Sequence, residues 1–112
     1  MRKIVRKLRP VGRGTVRGRL YDFREYPGAI LDLSSSSAFA GQVFALPSND
    51  QKILPLLDAY ESFFPQDLKK SLFIRKQCHV AMLDGRVLQC WIYEYNRAIG
   101  SARVIQGGDY LK

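Results

Sequence analysis

Leu72-Phe73-Ile74-Arg75-Lys76-Gln77-Cys78-His79-Val80-Ala81-Met82-Leu83, then Asp84-Gly85, then Arg86-Val87-Leu88-Gln89-Cys90-Trp91-Ile92-Tyr93-Glu94-Tyr95, is the stretch that decides the class of fold. Both flanks are rich in β-branched and aromatic residues, and Asp-Gly accepts the positive φ values of a two-residue type I′ turn. A β-hairpin from Leu72 to Tyr95 follows. With a two-residue loop, Arg75 is expected opposite Glu94, His79 opposite Cys90, and Cys78 opposite Trp91. Because strand side chains alternate between faces, that register sends Cys78 and Cys90 to opposite sides of the sheet and excludes a disulfide between them.

Upstream of the hairpin, Ser48 and Gln51 have capping-box spacing, and Ile53, Leu56, Leu57 and Tyr60 recur at helical intervals. They predict a helix over 49–61. Pro55 lies inside it and removes one intrahelical hydrogen bond, so a kink or a division is expected there. Residues 62–71 read as a loop carrying Phe63, Phe64 and Pro65. Earlier still, Gly14–Phe23 reads as a strand with a bulge at Gly18, Pro27-Gly28 as a turn, and Ala29–Leu33 as a short apolar run. The four serines at 34–37 read as a loop, and Phe39–Leu46 as another strand. Ile4, Val5 and Leu8 suggest a short amphipathic helix ending near Pro10, and the glycines at 100, 107 and 108 a C-terminal tail over 97–112.

A chain of 112 residues, 46% hydrophobic, has the length of one packed domain. It contains no apolar run of about 18 residues and no apolar segment behind its charged start, so neither a membrane span nor a secretory leader is expected, and the cytoplasm is the expected location. Two cysteines and one histidine, His79, do not make a disulfide framework or a metal-ligand pattern. The net charge of +8 is concentrated: eight of the 18 Lys and Arg fall within residues 1–19, which hold no acid, and the remainder of the chain is balanced. Such a segment can act as a phosphate-binding arm, but a solvated basic face is the simpler account, and a nucleic-acid partner is not expected.

Among groups able to carry chemistry, Glu61 stands out. Leu57 and Leu54 precede it on the same helix face, and it lies at the negative end of the helix dipole. Both effects disfavour the carboxylate and move its pKa towards the range of a general acid/base. Glu94 is the rival carboxylate, but Arg75 as its cross-strand partner marks it as structural. His79 has no neighbouring acid to orient it, and no serine sits in a nucleophile elbow.

The run Val11 to Asp22, with Gly18-Arg19-Leu20-Tyr21-Asp22 at its end, then Tyr26-Pro27-Gly28-Ala29 and Gly41-Gln42-Val43-Phe44, resembles the first half of the gamma-glutamylcyclotransferase-like family. Leu57-Asp58-Ala59-Tyr60-Glu61 is similar to the family's helix-end motif. Trp91 to Asn96 and Gly108-Asp109-Tyr110 resemble its closing strand and C-terminal turn. The resemblance implies an α+β fold with a small mixed β-barrel and short helices, and release of 5-oxoproline from a gamma-glutamyl amine or amide without a cofactor. It implies Glu61 as the catalytic acid/base, with Tyr26, Tyr93 and Tyr110 lining the substrate pocket. The alternative is a non-catalytic member of the fold that binds a small ligand or a partner. The family's opening strand, ending in Tyr-Gly-Ser/Thr-Leu, has no counterpart, and the first residues resemble the helix that follows it. Loss of that strand leaves an open sheet edge, from which a homodimer is expected.

Overall fold

The computed structural model describes residues 8–48 and 50–105. Among these residues are one helix and one six-stranded mixed sheet: β1 Arg9–Asp22, β2 Pro27–Leu31, β3 Ala38–Ala45, α1 Asp50–Tyr60, β4 Phe73–Met82, β5 Val87–Tyr95 and β6 Arg103–Val104. The class is α+β. Strands run in the order β2-β5-β4-β1-β3, with β6 on β1, and β2 also pairs with β1. The pairings β1–β2, β2–β5, β5–β4 and β4–β1 therefore make a closed circuit. Only the β2–β5 contact is parallel, at Ala29 and Glu94.

Strand β1 makes this circuit because it is long and bends. Its N-terminal part pairs with β3, and Gly18 to Asp22 pair with β2. Gly18 is the point of closest approach, since a Cβ there would lie 2.1 Å from the Ile30 carbonyl oxygen. The expected bulge at Gly18 is instead found between Pro10 and Gly12, where the register with β3 shifts. Pro10 has no N–H for the ladder, which is why the irregularity costs least there. Bending places Leu20, Ala29 and Phe39 in one buried cluster, with Val16, Leu31, Ile92 and Ile105 packed against it.

Pro27-Gly28 is the start of β2, a position that tolerates proline, and the turn lies just before it. There the Phe23 N–H donates to the Tyr26 carbonyl at 3.1 Å, with Arg24 at φ 74°. Helix α1 runs undivided through Pro55. The hydrogen bond lost at proline leaves the carbonyl of Gln51, an exposed residue of the first turn, which water can satisfy. Within the segment read as a tail, Arg103–Val104 pair with Tyr21 and Asp22. The expected helix around Ile4 and Val5 lies outside the described residues, except for its end near Pro10, where Arg9 and Pro10 instead begin β1.

The hairpin forms, but one residue out of the expected register. Arg75 faces Tyr93, Ile74 faces Glu94, His79 faces Gln89, and Cys78 faces Cys90. The loop is three residues long: the Met82 N–H donates to the Arg86 carbonyl at 2.8 Å, and the Gly85 N–H returns to the Met82 carbonyl at 3.0 Å. Gly85 has φ 93°, whereas Asp84 is not in the positive-φ region. This is a type I turn closed by a left-handed glycine, not the type I′ turn that needs two such residues. The Asp84 carboxylate holds it, accepting from the Arg86 N–H at 2.9 Å and Nε at 2.7 Å. Cys78 and Cys90 consequently share one face, both as free thiols. Burial, and the neighbouring Cys90, push the Cys78 thiol up to about 11.

Candidate active site

The end of α1 is built to present one carboxyl. The Ser62 N–H bonds back to the Ala59 carbonyl at 3.2 Å and the Phe63 N–H to the Asp58 carbonyl at 2.8 Å. With Ser62 at φ 54°, these are the two bonds of a Schellman motif, with Glu61 as the last residue before the left-handed turn. Phe63 and Leu57, the apolar pair that accompanies such a motif, are both buried. Glu61 is thereby fixed where the helix stops.

The face that α1 turns inward carries a buried acid beside the buried Leu57. Leu56 and Tyr60 are 55% and 60% exposed, while Asp58 is 7% exposed. Buried carboxylates require partners, and the hairpin supplies them. The Tyr93 hydroxyl donates to Asp58 Oδ1 at 2.6 Å, Arg75 Nη2 donates to Oδ2 at 3.3 Å, and Arg75 Nε lies 2.9 Å from Oδ1. The Arg75 guanidinium carbon also lies 4.4 Å from the centroid of the Trp91 ring and 5.9 Å from that of Phe63. Burial, the hydrogen bond to Asp58, and the charges of Asp58 and Glu61 raise the Tyr93 phenol well above its ordinary range.

Glu61 borders this group, and burial lifts its carboxyl above the usual glutamate value. Among the described residues, no hydrogen bond or ion pair to its side chain is found. Glu94 has the opposite environment, and the expected Arg75–Glu94 pairing is overturned by the register. Its carboxylate pairs with Lys76 and accepts the Leu31 N–H at 2.7 Å, on the face of the sheet away from Arg75. Tyr26 belongs to a separate aromatic group, with ring neighbours Phe23, Phe73 and Tyr95 at 6.1, 5.7 and 6.5 Å. Tyr95 is two positions beyond Tyr93 on the same face of β5. Tyr110 lies outside the described residues.

A family described as gamma-glutamyl cyclotransferase, AIG2-like, matches residues 1–112. The chain belongs to this family. No curated protein and no solved structure gives a significant match. The structure joins Asp58, within the Leu57–Glu61 run, to Arg75 and Tyr93 of the hairpin. Hydrophobic periodicity missed Asp58 because it treats an acid as an outward residue; its place three residues before Glu61, on the same helix face, was the available signal. Two open clefts of about 330 and 260 Å³ are lined by Asp22, Phe23, Arg24 and Arg103 among others, and by Leu8, Arg9 and Ala45 to Pro47. Neither is lined by Glu61 or Tyr93. Among the described residues, no group of three or more His, Cys, Asp or Glu side chains is placed to hold a metal ion, and no helix is long and apolar enough to cross a membrane.

Proposed function

We propose that this chain releases 5-oxoproline from a gamma-glutamyl amine or amide, with Glu61 as the general acid/base. The observation that carries the proposal is the Glu61 carboxyl itself, fixed at the end of the family-like Leu57–Glu61 run and lifted by burial. A carboxyl so tuned can take a proton and give it back. Glu61 accepts a proton from the substrate's α-ammonium, and the freed amine attacks the γ-carbonyl carbon of the same molecule. The new C–N bond closes a five-membered lactam. Collapse of the tetrahedral species breaks the bond to the leaving nitrogen, which receives the proton from Glu61; Glu61 then takes the remaining extra proton from the ring nitrogen and passes it to the released amine, which departs as an ammonium. Atoms and charge balance without a cofactor. Holding the two reacting groups of one substrate together supplies much of the rate.

In this assignment Tyr93, its hydroxyl anchored on Asp58, forms a wall of the head-group site. Tyr26, in the separate aromatic group with Tyr95, and Tyr110, outside the described residues, are the other two residues assigned to substrate binding. The 112 residues act as one domain in the cytoplasm, and the closed circuit of strand pairings serves as its small β-barrel. A second reading, a non-catalytic binding member of the fold, is favoured by one observation: neither of the two clefts described above is lined by Glu61 or Tyr93.

Measuring 5-oxoproline release from a panel of gamma-glutamyl amines and dipeptides separates the two. We expect Glu61→Gln to lose activity by about 10²- to 10⁴-fold with its circular dichroism unchanged. Absence of release from a folded wild-type chain would establish the non-catalytic reading.

A further inference from the structure

The hairpin register leaves a pair of thiols that the Glu61 chemistry does not use. Cys78 of β4 and Cys90 of β5 are direct cross-strand partners, and both are half-buried free thiols. Their kind of pairing follows from the turn. The Met82 N–H donates to the Arg86 carbonyl, so Met82 and Arg86 form a hydrogen-bonded pair. Alternation along the ladder makes Val80–Leu88 and Cys78–Cys90 hydrogen-bonded pairs too. Partners of this kind have Cα atoms about 5.5 Å apart, close to the commonest separation across a disulfide. The two thiols lie on the face of the hairpin opposite to the one that carries Arg75 and Tyr93 and meets α1. Strand β1 pairs with β4 only at Ala81 and Met82, so among the described residues Cys78 lies on a stretch of β4 whose second edge has no strand partner.

We propose that Cys78 and Cys90 are a reversible redox pair, joined into a cross-strand disulfide by exchange with a linear low-molecular-weight disulfide. One cysteine, as its thiolate, attacks a sulfur of that disulfide, forming a mixed disulfide and expelling one small thiolate. The facing cysteine, deprotonated in turn, attacks the protein sulfur of the mixed disulfide; the Cys78–Cys90 bond forms and the second small thiolate leaves. Two electrons pass from the cysteines to the small disulfide, and the two cysteine protons end on the two small thiols. Pairing in the ladder holds the second thiol against the mixed disulfide, which favours closure over capture of another small molecule. Burial raises both thiols, Cys78 to about 11, so the first attack is slow at neutral pH. The bond also reopens easily. Cβ atoms across a strand pair lie about 4.5–5.5 Å apart, whereas a disulfide needs about 3.5–4.5 Å. Closure therefore draws the two strands together, and a strained disulfide is readily reduced.

The test is exchange of the full, folded chain with excess hydroxyethyl disulfide, which carries no gamma-glutamyl group, followed by alkylation of remaining thiols and mass spectrometry. The wild-type chain is expected to lose two hydrogens, to take up no alkyl group, and to yield linked peptides containing Cys78 and Cys90 after cleavage at Arg86. Excess 2-mercaptoethanol should restore two alkylatable thiols with the circular dichroism unchanged. Cys78→Ser and Cys90→Ser should each stop at the mixed disulfide, with one mercaptoethanol retained. Unfolding the wild-type chain in urea should lower the ratio of closed chains to chains carrying two mixed disulfides by about tenfold or more, because the ladder no longer holds the thiols together. A folded wild-type chain that stops at mixed disulfides, links only between two copies, or keeps both thiols overturns the proposal. So does a Cys78–Cys90 bond that 2-mercaptoethanol does not reopen, or a product ratio that urea leaves unchanged. If either serine variant does not fold, the wild-type masses and the urea ratio decide.

Discussion

The β4–β5 hairpin has a glutamate on each of its sides, and the two are used in opposite ways. On the side facing the core cluster, Glu94 is consumed by the fold: it accepts the Leu31 N–H at 2.7 Å and pairs with Lys76, tying β2 to β5 where their single register pair occurs. On the side covered by α1, Glu61 is half-buried and its carboxyl is raised by burial, while the neighbouring Asp58 takes both of the polar partners that the hairpin offers. A carboxylate whose oxygens are occupied stabilises structure. One that is desolvated, with no such partner among the described residues, has its pKa raised instead. The flanking tyrosines of Glu94 say nothing of this difference; the cross-strand register does.

The comparison is most strongly challenged at Asp58. Its side chain is 10% exposed and that of Arg75 19%, so Asp58→Ala would leave a largely buried guanidinium and the Tyr93 hydroxyl without their acceptor. Removing one partner of a buried pair costs several kcal/mol, and we expect a loss of about 3 kcal/mol in urea denaturation at neutral pH. A loss under about 1 kcal/mol would show that the pair behaves as an exposed one. Glu94 should be the next most sensitive position. Glu94→Ala strands the Leu31 N–H and is expected to cost about 1–2 kcal/mol. Glu94→Gln keeps an acceptor and loses only the pairing with Lys76, whose side chain is 49% exposed, so its cost should stay below about 1 kcal/mol. Equal costs for the two variants would mean that the ion pair, not the backbone acceptor, is what Glu94 provides.

How much of this was legible in the sequence depends on the kind of interaction involved. Strands, turn residues and the end of α1 follow from local chemistry, and the position of Glu61 at a helix terminus is itself local. The hairpin register was not legible in the same way. Asp-Gly suits both a two-residue and a three-residue loop, and the choice was made by the Asp84 side chain bonding to Arg86, a contact that depends on rotamers and not on composition. One residue of slip then moved Arg75 from Glu94 to Tyr93 and Asp58, and set Cys78 opposite Cys90. The helix face was misjudged for a related reason. Counting apolar residues turns Leu56 and Tyr60 inward, whereas burial goes to Leu57 and Asp58. An acid occupies an inward position there because Arg75 and Tyr93 arrive from the distant hairpin to satisfy it, and a long-range partner leaves no trace in helical periodicity.

The smallest expected effect contrasts the two glutamates by sign. Because burial raises the Glu61 carboxyl above its model-compound value of 4.5, the folded chain binds that proton more tightly than the unfolded chain does. The resulting stabilisation is complete below the unfolded pKa and is lost as pH rises through the folded one. At pH 7 the wild-type chain therefore carries the unfavourable burial of the Glu61 charge. Glu61→Gln removes it, and this variant should melt at a higher temperature than wild type at pH 7, with the difference shrinking as pH falls towards 4. Glu94→Gln should melt lower than wild type at pH 7, since it loses the Lys76 pairing. A Glu61→Gln chain that is less stable than wild type at pH 7 would show that the Glu61 carboxylate contributes to the fold as Glu94 does, and the division of labour between the two sides of the hairpin would fail.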